Sequence, residues 1–584
     1  MIRQLDVDGV PALLAPTTGP AHAGLMFRVG QADETLARRG ITHLLEHLVL
    51  HPLGTADYHY NGSTGSVVTH FHLQGSVDDI TTFLTGVCRS LRELPLDRLA
   101  TEKGILRTEW SNRGNSVTDP IPLWRHGARD YGLSSFPEWG LSAITADELQ
   151  EWAARYFTRE NAVLWLAGDD IPAGLRLDLP SGSRLAAPVA SSALPVTPAY
   201  FPGDSRATVL DAVVRRDAAA SVFSGVLERE MFRALRQRDG LSYTAATHYE
   251  PRGDGYAVIT ALADALPEKQ DAVLGGMVDV LAKMRIGRIE EADVAAVVGK
   301  ATDALSTADA DRARLPSAAF NLLTGHPIDT SDELSLQIKS VTPESVHKVA
   351  TEALASSLLM TPHRRVADWA GFMAAPSGST EAVTGTTHPG LGGLPQRLVV
   401  GVDGVSLITG VGDGVAGQDA EGGQDVPGNV ATVRYDRCVA MLAWPDGGRQ
   451  LIGDDAVAVR LEPTLYRDAD PQPVDAVIPP QLRIDLPARD PQEIPRPETV
   501  YRASTKPRRS GVRDRLRILP VRERVKLVLT AFACLLCAIL GVVLAVGILI
   551  GQVGPGRVLP VIGILGTSVY LGRSVQSTWR ELTG

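Results

Sequence analysis

At 584 residues the chain is long enough for several domains. Its net charge of −10 argues against a nucleic-acid-binding surface, so no nucleic-acid partner is expected. The four cysteines, Cys88, Cys438, Cys534 and Cys537, show no metal spacing and fit buried or lipid-facing thiols in a reducing, cytosolic setting. The first residues, Met1-Ile-Arg-Gln-Leu-Asp-Val-Asp, lack an apolar core segment, so no signal peptide is expected.

The first informative element is His43-Leu44-Leu45-Glu46-His47. On a helix, positions i, i+3 and i+4 share a face, which sets His43, Glu46 and His47 side by side. Two histidines four apart can hold one zinc ion, and a carboxylate beside them can act as general base on the attacking water. The order H-x-x-E-H is the inverted zinc-peptidase signature. Catalytic zinc usually takes a third protein ligand. Residues 97–110 read as a helix with Asp97 as N-cap after Pro95, and Glu102 and Glu109, two turns apart, lie on one face of it. His51, His59, His70 and His72 read as strand or loop histidines rather than ligands.

With these residues the sequence resembles the pitrilysin/insulinase (M16) family, which includes the mitochondrial processing peptidase. The resemblance implies Glu109 as the third ligand of one Zn2+ per chain, and Glu102 as a carboxylate steadying a ligand histidine. The gap of 62 residues from His47 to Glu109 is shorter than the family's usual one. The shortfall is placed at residues 54–61, where a trimmed helix is expected to reshape the substrate groove. Residues 63–73 read as a strand on which an extended peptide could align by β-addition.

The first 365 residues contain a repeat. Thr145 and Glu148 stand in capping-box spacing at one helix start, and Thr342 followed by Pro343 opens another, 197 residues on. Each precedes an apolar, strand-like stretch. The expected fold class is therefore α+β: two duplicated antiparallel-sheet-plus-helix domains, 1–185 and 195–368, joined through the Pro/Ala/Ser-rich segment 181–197. The M16 resemblance implies that they form one half of a clamshell. In the second domain Gly240 reads as a C′ residue, and Arg236 and Tyr243 stand seven apart. The resemblance implies that this pair binds substrate backbone and steadies the tetrahedral intermediate.

Residues 370–396 read as a flexible linker and 397–467 as a small β-barrel or sandwich with a loop at 410–428. Residues 468–526 read as a Pro-rich and then basic linker. From residue 527 to 553 there are 27 consecutive uncharged residues, more than a spanning helix needs. A second uncharged run, 558–572, is expected to close a transmembrane hairpin within 527–573. The preceding cluster, from Lys506 to Lys526, marks the cytoplasmic side by the positive-inside rule.

The expectation is a zinc metalloendopeptidase whose catalytic domains face the cytosol, anchored to the cell membrane by C-terminal helices and paired as a homodimer or with another M16 subunit. Its substrates are peptides or unfolded segments. Alternatives are a leader peptidase maturing a ribosomally made secreted peptide, and a non-catalytic scaffold or binding protein of the same fold.

Overall fold

The computed structural model describes residues 1–54, 59–114, 116–410 and 429–497. The first sheet runs β1 (Arg3–Val7), β2 (Val10–Ala15), β3 (Ala21–Phe27), β4 (His59–Thr64), β5 (Thr69–Gly75) and β6 (Ala162–Ala167), in the spatial order β1-β2-β6-β3-β5-β4. Only β2 and β6 pair in parallel; the other neighbours are antiparallel. Helices α1 (Ile41–Leu50), α2 (Val77–Arg92), α3 (Leu99–Asn112) and α5 (Ala146–Tyr156) carry the first domain's helical apolar surface, and α4 (Pro120–His126) stands apart from them.

The second sheet repeats the plan with β7 (Ala199–Pro202), β8 (Thr208–Arg215), β9 (Ala245–Pro251), β10 (Tyr256–Ala263), β11 (Leu358–Thr361) and β12 (Met373–Ala374). Its order is β12-β7-β11-β8-β10-β9, with β7 and β11 parallel where β2 and β6 are parallel in the first. Helix α6 (Ala218–Met231) occupies the slot of α1; α7 (Gln270–Arg285), α8 (Glu291–Leu305), α9 (Ala310–Leu323), α10 (Ser331–Lys339) and α11 (Pro343–Ala355) follow. The expected caps form at Thr145 with Glu148 and at Thr342 with Ser345. Residues 168–198, between the two sheets, have no strand or helix.

Each sheet alternates so that one face meets its own domain's helices. Leu14, Ala23, Leu25, Phe71 and Leu164 meet Leu44, Leu45 and Leu48 of α1 in one buried cluster. The opposite faces are covered by exchange. Leu315, Ala319 and Leu323 of α9 pack on Leu13, Val163 and Trp165 of the first sheet. Ile121 of α4 packs on the second sheet, and Trp124 stacks on Phe201 with ring centroids 4.7 Å apart. This reciprocal cover fixes the two domains as one body.

Several expectations need correction. Asp97 does not cap α3: it sits in a tight turn, Leu96–Arg98, and α3 begins at Leu99 with no side-chain cap. Residues 63–73 are not one strand; the chain turns back between Thr64 and Thr69, leaving β4 at the sheet edge. The 370–396 segment is more than a linker, because it supplies β12 to the second sheet and β13 (Gly385–Pro389) to the third module. That module continues with β14 (Gln396–Gly401), β15 (Gly404–Thr409), β16 (Val430–Arg434), β17 (Cys438–Ala443), β18 (Arg449–Gly453) and β19 (Ala458–Leu461). The stretch expected as a Pro-rich spacer folds back onto it through α12 (Gln472–Val477) and β20 (Arg483–Asp485), the latter pairing in parallel with β17. Two four-stranded sheets thus enclose one core that includes Leu398, Val405, Met441 and Leu451.

Among the described residues no helix is long and apolar enough to cross a membrane. The expected spans at 527–573, the basic cluster from Lys506 to Lys526 and nearly all of the 410–428 loop lie outside the described residues, as do residues 55–58 of the region of the expected deletion.

Candidate metal centre

Helix α1 begins at Gly40, whose φ of +97° suits glycine and whose lack of a side chain leaves the cap to another residue. Glu34 takes that role: its carboxylate accepts the N–H groups of Gly40 at 2.9 Å and Thr42 at 3.0 Å, with Arg39 paired beside it. The leucines at 44, 45 and 48 anchor the helix in the core, so His43, Glu46 and His47 are aimed along the remaining stripe. On α3, Glu102 and Leu106 are buried, and Glu109, one turn further, reaches the same side.

His43, His47 and Glu109 converge, each offering a ligand atom within 4.8 Å of the others. His47 Nε2 lies 3.6 Å from Glu109 Oε2. A tetrahedral zinc with bonds near 2.0–2.1 Å sets its ligands about 3.4 Å apart, so the donor set fits this metal. The other ring nitrogens are occupied. His43 Nδ1 is hydrogen-bonded to Glu138 Oε1 at 3.0 Å, and His47 Nδ1 lies 3.5 Å from Glu102 Oε2. Both histidines therefore turn Nε2 toward the space between them and Glu109. Glu102 is in turn held by Arg98 Nη2 at 3.2 Å.

Glu46 lies beside this set without belonging to it. It is buried, and Thr64 Oγ1 of β4 donates to its Oε2 at 2.7 Å. Burial raises its pKa, against the lowering effect of Thr64, His43 and His47. For His43, burial disfavours charge, but the Glu138 hydrogen bond and the surrounding carboxylates outweigh it and raise the pKa. These side chains face a cavity of about 700 Å³ bordered by β4.

Arg236 and Tyr243 also meet, but elsewhere. The helix after α6 widens to π geometry over Phe232–Arg238 and stops at Gly240, φ +56°, the expected C′ position. The Arg236 guanidinium sits 4.9 Å from the Tyr243 ring and 5.0 Å from that of Phe232. Tyr243 is 78% exposed, and neither residue lines the cavity beside His43.

Sequence reasoning missed Glu138. It lies just ahead of the short turn Trp139–Ser142, 95 positions from His43, in a stretch without helical or strand periodicity. Its one sequence signal is an acidic residue between Pro137 and Trp139, which only the fold makes meaningful.

No protein-family profile matches the chain, and no curated protein does. Solved structures do. A protease from Helicobacter pylori is 17% identical with a TM-score of 0.53, covering 62% of this chain and 99% of its own. An inactive M16 peptidase domain from Pseudomonas fluorescens is 18% identical with a TM-score of 0.52, covering 63% and 98%. The first half of the periplasmic protease PqqL from Escherichia coli is 12% identical with a TM-score of 0.51, covering 63% and 93%. With its paired sheets and exchanged helices, the chain has the fold of the M16 peptidases.

Proposed function

We propose that the chain is a zinc-dependent endopeptidase of one metal per chain, acting on peptides or unfolded segments at the cytoplasmic face of a membrane. The observation that carries this reading is the convergence of His43, His47 and Glu109 beside a buried Glu46 that is not part of the donor set. Zinc held there supplies polarisation of the scissile carbonyl and a more acidic water. Glu138 and Glu102 fix the ring orientation of the two histidines, and Glu109 brings the third donor from α3. Glu46, with its raised pKa, takes the water's proton and delivers it to the leaving amine. Thr64 holds that carboxylate in place from the edge strand.

Because β4 is an edge strand beside Glu46, an extended peptide adding to it would lay its backbone along the site. Arg236 and Tyr243 would complement the oxyanion. Their absence from the His43 cavity favours delivery from a second subunit, in the simplest case another copy of this chain. The basic cluster followed by the uncharged run 527–553 supports membrane attachment. The complete donor set with its positioned base favours catalysis over a scaffold role.

The test is Glu46→Gln. Zinc should remain stoichiometric while turnover falls by about 10²–10⁴. Loss of zinc together with activity would put Glu46 among the ligands and break the assignment.

A further inference from the structure

The third module lies directly against the turns that flank the metal helix. Strand β17 contacts Leu36–Arg38, which leads into α1, and β20 contacts Trp139–Ser142, which follows Glu138. One apolar cluster joins Leu36, Leu133 and Phe136 of the first domain to Leu442, Ile452 and Ile484 of the module. Around it, Ala128 N–H donates to the Asp454 carbonyl at 3.0 Å and Arg129 Nη1 to Asp454 Oδ2 at 3.0 Å. Gly127, with φ +79°, lets the chains approach, since any side chain there would collide with that same carbonyl.

Phe136 links this contact to the metal centre. Its ring belongs to the shared cluster, its carbonyl accepts from Arg39 Nε at 3.0 Å, and two residues later Glu138 bonds His43. Arg39 pairs with Glu34, the residue that caps α1. At Gly140 a Cβ would stand 2.6 Å from the backbone of Arg38 and Arg39, so the Glu138 turn and the approach to α1 touch backbone to backbone. A short turn has few internal hydrogen bonds to fix it, and its position comes from what it packs on. Here that is the Leu36–Arg38 turn and the start of α1 on one side and β20 of the third module on the other.

We infer that the third module is a positioning element of the metal centre. By seating residues 136–139 it holds Glu138 on His43, so the chain's zinc affinity depends on module residues that touch no ligand. A carboxylate bonded to a ligand histidine fixes the ring's tautomer and direction, which gives the module a direct route to the metal. The inference rests on the zinc reading above only for the identity of the metal.

The experiment is zinc affinity of the full chain by competition with a chromophoric chelator, with folding followed by circular dichroism. Glu138→Ala should weaken zinc by about 10–100-fold, and Glu138→Gln, which keeps an acceptor for Nδ1–H, by less. Ile484→Ala should weaken zinc by at least about threefold, and this loss should vanish when Glu138 is already alanine. If Ile484→Ala perturbs folding, Ile484→Val gives the same comparison with a smaller cavity. Wild-type affinity in the Ile484 variants, or a loss that adds in full to that of Glu138→Ala, overturns the inference. Failure of the unmodified chain to bind zinc at all overturns the zinc reading instead, so the two failures are distinct.

Discussion

Gly62 on β4 offers a sharp test of where the general base must stand. A methyl group there would lie 2.8 Å from both Cγ and Cδ of Glu46, and nearer still to Oε1. Ordinary contact begins at 3.4 Å, so Gly62→Ala forces those carbons back by about 0.6 Å and the carboxylate oxygen by more. Gly62 has no left-handed φ, and the displaced atoms end a flexible side chain, so the fold should tolerate the change. The Thr64 hydrogen bond at 2.7 Å is lost or stretched. Misplacement of a reacting group by about 1 Å costs on the order of 10²-fold in rate, and kcat should fall by about that factor. The assay is cleavage of a quenched fluorescent peptide, with zinc content and thermal unfolding measured on the same sample. Zinc should stay stoichiometric and the melting temperature nearly unchanged. Activity within a few-fold of wild type would refute Glu46 as the base at this position.

Co-expression of Glu46→Gln with the double variant Arg236→Ala/Tyr243→Phe should restore roughly a quarter of wild-type activity, since about half the dimers are mixed and each rebuilds one of two sites; inactivity of proven mixed dimers would place the whole site within one chain. His70 accepts from Trp165 Nε1–H at 2.9 Å and is half-buried, and desolvation, with His72 and His22 beside it, pushes its pKa down to about 3. The fold excludes a proton that the unfolded imidazole binds below about 6.5, so stability should fall as pH drops from about 6.5 toward 3. Denaturant titrations across that range should show a shallower slope in His70→Gln, and an unchanged slope would contradict this. A chain ending at Thr499, the limit of the compact unit, should stay in solution and bind zinc, whereas the full chain should sediment with membranes; a full chain found in the soluble fraction would remove the anchor.

The convergence of His43, His47 and Glu109 was legible in two steps: helical spacing projects His43, Glu46 and His47 together, and the M16 resemblance singled out Glu109, two turns from Glu102, as their partner. The duplication was legible through its caps, and five of the six strands in each sheet follow the same order and pairing, the edge strands β1 and β12 differing in direction and in place along the chain. Glu138 was not legible, because no local periodicity ties residue 138 to residue 43; their contact depends on how the turn packs. The same cause hid the role of the third module. Its Gly/Ser/Thr- and Pro-rich flanks read as linkers, yet Met373–Ala374 pairs with Ala199–Pro202 and Arg483–Asp485 with Cys438–Ala443, strands that are not their neighbours in sequence. Asp97 misled for a related reason: a capping residue type sat one residue before the N-cap position, inside the tight turn that follows Pro95.

The most direct measurement is zinc content and peptide cleavage on one preparation of the full chain, before chelator, after chelator, and after zinc is restored. One zinc per chain, cleavage of an unfolded peptide that stops with chelation, and recovery on adding zinc are expected. Cleavage that persists in chelator, or a folded chain that neither binds zinc nor cleaves any member of a peptide library, would contradict a zinc endopeptidase built on His43, His47 and Glu109.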